Sequence, residues 1–147
     1  MPHYFAYGSN MDREAMRRRC PRSRPLGRAR LARHRLFFMR DGFCSVAPDP
    51  RAWVHGVLWD LALADVRALD LYEGVARGWY EKRYTPVLRE PFGSVKALVY
   101  VGRTEEPGAP ERDYLAGVVA AARAAELPAA YCAYLESFAN VPRRGEK

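Results

Sequence analysis

"YFAYGSNMD", residues 4–12, changes character halfway along. Tyr4, Phe5 and Tyr7 carry the bulky rings that a pleated, half-buried strand favours, so His3 to Tyr7 reads as a strand. Gly8, Ser9 and Asn10 interrupt it, and Asp12 to Arg19 reads as a short helix stopped at Pro21. A strand that ends at Gly-Ser-Asn and feeds a helix leaves several backbone N–H groups unpaired. Those donors and the positive end of the helix dipole favour a bound anion, a carboxylate or a phosphate. Gly8 tolerates positive φ and allows close approach, and Ser9 or Asn10 is suited to cap the helix, with Ser9-x-x-Asp12 spaced as a capping box. Plain capping and an anion cradle are both open readings of this turn. The stretch has no G-K-[ST] and no G-x-G-x-x-G, so P-loop and dinucleotide sites are unsupported.

Outward from that turn, the chain does not alternate strands with helices. Leu26 to Met39 reads as an exposed strand or hairpin. Residues 43–48 and 54–61 read as two strands separated by a Pro-containing turn. Residues 62–73 have helical character and meet Gly74, a natural C-terminal stop. Residues 80–88 and 94–102 are strands again, joined around Pro91 and Gly93. Two helices close the chain, at 110–126 with Pro110 in its first turn and at 128–140, before a tail, 141–147, expected to fray. This order predicts an α+β domain, a compact mixed sheet that is barrel-like or closed, with helices packed outside. At 147 residues, without repeat or linker, the whole of 1–147 is expected to be a single domain with a self-sufficient core.

Hydrophobic residues make up 49% and charged ones 28%, which disfavours disorder. Three cysteines (Cys20, Cys44 and Cys132) without a C-x-x-C pair argue against a disulfide framework or zinc ribbon and for a reducing, cytoplasmic setting. Cys44 and Cys132 read most simply as small core residues. No apolar run approaches the roughly 20 residues of a membrane span, and the start lacks a signal-peptide design. His3, His34 and His55 lie far apart, with no H-x-x-x-H or C-x-x-C spacing, so metal chemistry has little support. The net charge of +7 comes from 21 Arg and 3 Lys, and eleven of the Arg lie between Arg13 and Arg40. Such a stripe suits a phosphate backbone or acidic small molecules, yet no RNP box, zinc finger or helix-turn-helix accompanies it.

The other informative stretch is "LALADVRALDLYEGVARGWY", 61–80. On a 3.6-residue period Ala62, Val66, Leu69 and Glu73 share one stripe, so Glu73 falls in line with the face that meets the core. It also sits in the last turn, near the negative end of the dipole, with Asp70 three residues earlier. Burial, dipole and a like charge would all raise its pKa, the profile of a proton-transfer group. A solvated glutamate at a frayed helix end is the competing reading. Asp70 has the plainer role of a surface charge or a partner for Arg67. Trp79, Tyr80 and Tyr84 read as core packing more readily than as a substrate platform.

The two stretches together, "YFAYGSNM" at 4–11 and "LDLYEGVARGWYEKRYTPV" at 69–87, with "ELPAAY" at 126–131 between the closing helices, resemble the gamma-glutamylcyclotransferase-like family over essentially the whole chain. Asn10 resembles the Y-G-S-N branch, where a glutathione-degrading branch has Y-G-S-L. The resemblance implies a β-barrel-like α+β fold with a cavity at Tyr7 to Asn10. It implies conversion of a gamma-glutamyl amine or peptide to 5-oxoproline and a free amine, by a cytoplasmic monomer or homodimer without cofactor. Tyr7, Gly8, Ser9 and Asn10 would then hold the glutamyl moiety, Glu73 would be the acid/base, and Tyr80 would lie near the substrate. Two alternatives remain open: removal of a gamma-glutamyl protecting group from a biosynthetic intermediate, and a non-catalytic module that binds anions or nucleic acid.

Overall fold

The computed structural model describes residues 2–142. Five strands close into a barrel in the order β1-β3-β2-β4-β5, where β1 is His3–Ala6, β2 Arg24–Phe38, β3 Cys44–Asp60, β4 Tyr80–Arg89 and β5 Ser94–Gly102. All ladders are antiparallel except the closure, where β1 runs parallel to β5 through His3↔Ala97 and Tyr4↔Leu98. The expected α+β class and closed sheet are therefore observed. Short β1 pairs with both β3 and β5, so its end at Ala6 opens onto the rim of the barrel.

The core is built from strand side chains that vanish from solvent, among them Phe5, Leu31, Leu36, Leu58, Leu98 and Tyr100. Each such residue contributes on the order of 1.5–3 kcal/mol by leaving water. Helices α1 (Arg13–Arg19), α2 (Leu63–Tyr72), α3 (Arg112–Ala124) and α4 (Ala129–Ser137) lie outside the barrel. Helix α3 buries Leu115, Val118, Val119 and Ala122, the i, i+3, i+4, i+7 stripe of an amphipathic helix. Its start is fixed by Glu111, whose carboxylate accepts from the N–H groups of Asp113 and Tyr114. Pro110 therefore precedes the helix rather than lying in its first turn.

Residues 24–38 form one strand, the first of the two readings of that segment, whereas the two strands expected at 43–48 and 54–61 need correction: 44–60 form a single strand with no turn inside it. The prolines mark a bulge: Ala32 pairs with Trp53 and His34 with Pro48, so residues 49–52 oppose Arg33 alone, which takes φ 60°. Within β3, strand β1 pairs only Val57–Asp60, so Pro48 and Pro50 lie beyond the stretch that β1 covers. Residues 143–147 of the tail lie outside the described residues. No helix among the described residues is long and apolar enough to cross a membrane.

Candidate active site

Where β1 ends, Ser9–Met11 forms a single 3-10 turn before α1 begins. The cap is Asp12, whose carboxylate accepts from the Glu14 N–H at 3.0 Å; neither Ser9 nor Asn10 caps, which corrects the capping-box reading. Freed from that role, the Ser9 hydroxyl lies 2.9 Å from the Tyr72 hydroxyl, and Asn10 turns inward to 2% exposure. The backbone N–H groups of Ser9 and Asn10 have no hydrogen-bond acceptor among the described residues. Gly8 is not in a left-handed conformation (φ −124°); its requirement is room, because a Cβ there would stand 2.5 Å from Cys44 Sγ.

Helix α2 delivers the acid. Leu69 is fully buried beneath it, the helix ends at Tyr72, and Glu73 is the C-cap residue. Gly74 takes the left-handed conformation (φ 65°, ψ 36°), and a Cβ there would collide with the Trp79 ring. The turn at Gly74 thus ends the helical stripe with Glu73 still in line with Leu69. Its carboxyl lines a cavity of about 160 Å³ together with Tyr7, Gly8, Ser9 and Asn10. Asn10 Nδ2 donates to Tyr4 Oη at 3.0 Å and approaches Glu73 Oε1 at 3.4 Å. Glu73 and the turn residues Ser9 and Asn10, whose amides are free, therefore line the same hollow.

Tyrosines dominate the remaining wall. Tyr4 comes from β1, Tyr72 from α2, Tyr80 from β4, Tyr100 from β5 and Tyr114 from α3. Their hydroxyls are largely spent on the scaffold. Tyr7 donates to the Tyr100 carbonyl at 2.5 Å, and Tyr80 to the Cys44 carbonyl at 2.7 Å. Tyr100 donates to Asp70 Oδ1 at 2.5 Å, and Tyr114 stands 3.2 Å from Cys44 Sγ. Burial raises the pKa of Tyr4, Tyr7, Tyr80, Tyr100 and Tyr114, and pushes the Cys44 thiol up to about 12, so all stay neutral near pH 7. Phe43 and Trp79, about half exposed, form part of the mouth.

In that setting Glu73 is raised from 4.5 to about 7, first by burial, with the Arg19 guanidinium pulling the other way. The expected contribution of Asp70 is corrected. Asp70 pairs with Lys82 at 3.1 Å and accepts from Tyr100, not from Arg67, and its charge is absent from the causes of the Glu73 shift. Trp79 and Tyr80 line the cavity rather than forming plain core, while Tyr84 is exposed elsewhere. Sequence reading missed Tyr4, Phe43, Cys44, Tyr72, Tyr100 and Tyr114, because barrel closure alone brings β1, β3, β5, α2 and α3 to one place. Arg19 was also missed as an individual residue within the Arg-rich run.

Three comparisons bear on this geometry. The AIG2-like family profile matches residues 53–135, more than half the chain. A human protein named gamma-glutamylcyclotransferase is 27% identical over 138 residues, spanning 87% of this chain and 73% of that protein. Among solved structures, one named gamma-glutamyl cyclotransferase superposes with a TM-score of 0.84 at 24% identity, covering 99% of this chain and 90% of that one. YkqA from Bacillus subtilis superposes with a TM-score of 0.85 at 23% identity, over 97% of this chain and 56% of its own. At these identities the structural likenesses speak to the fold alone.

Proposed function

The chain belongs to the AIG2-like family, in the fold of the gamma-glutamylcyclotransferases, and from that premise we propose that it is a cyclotransferase acting on a gamma-glutamyl amine or peptide. The observation that carries this reading is the shared cavity: a partly buried Glu73 lines the same small hollow as Ser9 and Asn10, whose backbone N–H groups have no acceptor among the described residues.

The reaction needs no enzyme nucleophile. The substrate's α-ammonium gives a proton to the Glu73 carboxylate, and the freed amine attacks the γ-carbonyl carbon. The resulting tetrahedral centre collapses as the γ C–N bond breaks and Glu73 returns the proton to the departing nitrogen; the second proton of the ring nitrogen then passes through Glu73 to the released amine, which leaves as its ammonium. The products are 5-oxoproline and a free amine, and the acid ends as it began. The reaction is an acyl transfer within one molecule, transferase or lyase in type. Folding the glutamyl chain into a near-attack shape supplies much of the entropic advantage, and a cavity of about 160 Å³ walled by rings suits that task. The Ser9 and Asn10 amides anchor the glutamyl group, through its α-carboxylate or the developing oxyanion. Tyr7, Gly8 and Tyr80 shape its seat.

The raised pKa supports the proton relay. Transfer from an ammonium of pKa about 8 to an ordinary glutamate near 4.3 is uphill by roughly 5 kcal/mol. With Glu73 at about 7 the same step is uphill by only about one pKa unit. The test is release of 5-oxoproline, followed by mass spectrometry, from a panel of gamma-glutamyl amines and gamma-glutamyl amino acids. Wild type should turn over at least one of them, and Glu73→Gln should lose about 10²–10⁴-fold in kcat while staying folded. Full activity in that variant removes Glu73 from the mechanism. The panel also separates broad cyclotransfer from removal of one particular gamma-glutamyl protecting group.

A further inference from the structure

Arg19 closes α1 and leans over the site from outside the barrel. Its guanidinium stacks 3.6 Å from the centroid of the Tyr72 ring and donates through Nη1 to Asn10 Oδ1. An arginine has donors only, so this contact dictates which end of the Asn10 carboxamide faces it. The oxygen must point to Arg19, and the NH₂ group is thereby turned toward Tyr4 Oη and Glu73 Oε1. Trp59 Nε1 holds the backbone of the same residue by donating to the Asn10 carbonyl at 3.1 Å. Asn10 thus has its main chain pinned by the barrel and its side chain oriented by α1.

We propose that Arg19 is a positioning residue of the cyclotransfer site: it locks the Asn10 carboxamide with its NH₂ aimed at Glu73, and so keeps a hydrogen-bond donor and a positive charge on the carboxylate. The inference rests on Glu73 being the acid/base. Without Arg19 the carboxamide is free to turn over and offer Glu73 its oxygen, which favours a protonated acid over a carboxylate. Loss of the charge acts in the same direction. The other titratable groups around Glu73 are Tyr4 from β1, Tyr7 beyond it, Cys44 from β3, Tyr80 from β4 and Tyr100 from β5, all neutral near pH 7. Tyr114 from α3 is neutral as well. Asp70, on the helix of Glu73 itself, is bound to Lys82 and Tyr100. Arg19 is therefore the group whose removal should move Glu73.

The experiment compares wild type, Arg19→Lys and Arg19→Met by two readouts. One is direct NMR titration of the Glu73 side-chain carboxyl, which needs no substrate. The other is the pH profile of kcat/KM for 5-oxoproline release. In Arg19→Met the Glu73 midpoint should rise by about one pH unit, and the acid limb of the profile should move with it, a loss of about tenfold at pH 6. Arg19→Lys, which keeps a donor and the charge, should restore most of the shift. An unmoved midpoint in folded Arg19→Met overturns the proposal, as does a uniform loss of rate at every pH. Should Arg19→Met fail to fold, Asn10→Ala serves in its place: loss of the carboxamide donor should itself raise the Glu73 midpoint and shift the acid limb with it, and an unmoved midpoint in folded Asn10→Ala overturns the relay. Wild type inactive on every gamma-glutamyl compound, with the titration shift intact, would sink the cyclotransferase reading while leaving the Arg19–Asn10–Glu73 linkage standing.

Discussion

Replacing Glu73 by Gln should make the protein more stable above neutral pH and leave its stability unchanged in acid. Burial lifts the Glu73 carboxyl from 4.5 to about 7, while in the unfolded chain it returns to its ordinary value. Between those two values the folded protein holds a proton that the unfolded chain has released. Acid therefore favours the folded state, and stability falls as pH rises through that window. The ionised form carries the full penalty above about pH 7, and below 4.5 neither state is ionised. At about 1.4 kcal/mol per pKa unit the window is worth about 3 kcal/mol, and water at the cavity mouth trims this to about 2–3 kcal/mol. Glutamine keeps the shape of the neutral acid and cannot ionise. Urea unfolding of both proteins at pH 4, 6 and 8 should give coincident curves at pH 4 and a gap that widens to about 2–3 kcal/mol in favour of Glu73→Gln at pH 8. For a chain of this size that gap corresponds to roughly 4–12 °C in Tm. A gap that stays constant with pH, or one that favours wild type as pH rises, would mean that Glu73 is as well solvated folded as unfolded. The case for a poised acid would go with it.

Two further substitutions probe how the site is built. Gly8→Ala should cost about 1–3 kcal/mol, because the new methyl meets Cys44 Sγ at 2.5 Å; adding Cys44→Ala should recover most of the loss, and a Gly8→Ala protein with an unchanged urea midpoint would contradict the close approach. Asp65→Ala should cost about 1–3 kcal/mol in thermal or urea unfolding, because buried Asp65 accepts from the Arg22 N–H at 2.9 Å and the Ser23 hydroxyl at 2.8 Å, and both donors would be stranded.

The two features that define the site were legible because each is local. Glu73 stands out where a helical stripe of Ala62, Val66 and Leu69 runs into a carboxylate before Gly74, and the left-handed glycine does end the helix there. The turn at Gly8 to Asn10 stands out as small residues after a ring-rich strand. What local patterns could not reveal was pairing. Pro48 and Pro50 carry turn chemistry, yet the partner strand β2 absorbs residues 49–52 as a bulge, because register is set by the whole ladder. Asp70 lies close in sequence to Arg67, but the fold brings it against β4 and β5, where Lys82 and Tyr100 take it. Arg19 was hidden in plain view among the eleven arginines from Arg13 to Arg40; only its place over Tyr72 separates it from the others.

The chemistry of the wall explains why one arginine should matter so much. Surrounding an acid with tyrosines gives it polar neighbours whose own protons burial makes hard to remove, so they add no charge near pH 7. In such a place the pKa of Glu73 is set by a contest between desolvation, which raises it, and Arg19, which lowers it. Desolvation alone would leave the group protonated at neutral pH and unable to accept a proton from an ammonium. A strong, close ion pair would leave it ionised but too weak a base. Arg19 lies instead one side chain removed from the carboxyl, acting by its charge and through the Asn10 carboxamide, so its pull is softened. A general acid/base works best with its pKa near the operating pH, and under the proposed cyclotransfer the relay of guanidinium, amide and carboxyl would reach that value without bringing a cation into the space for the substrate's own ammonium.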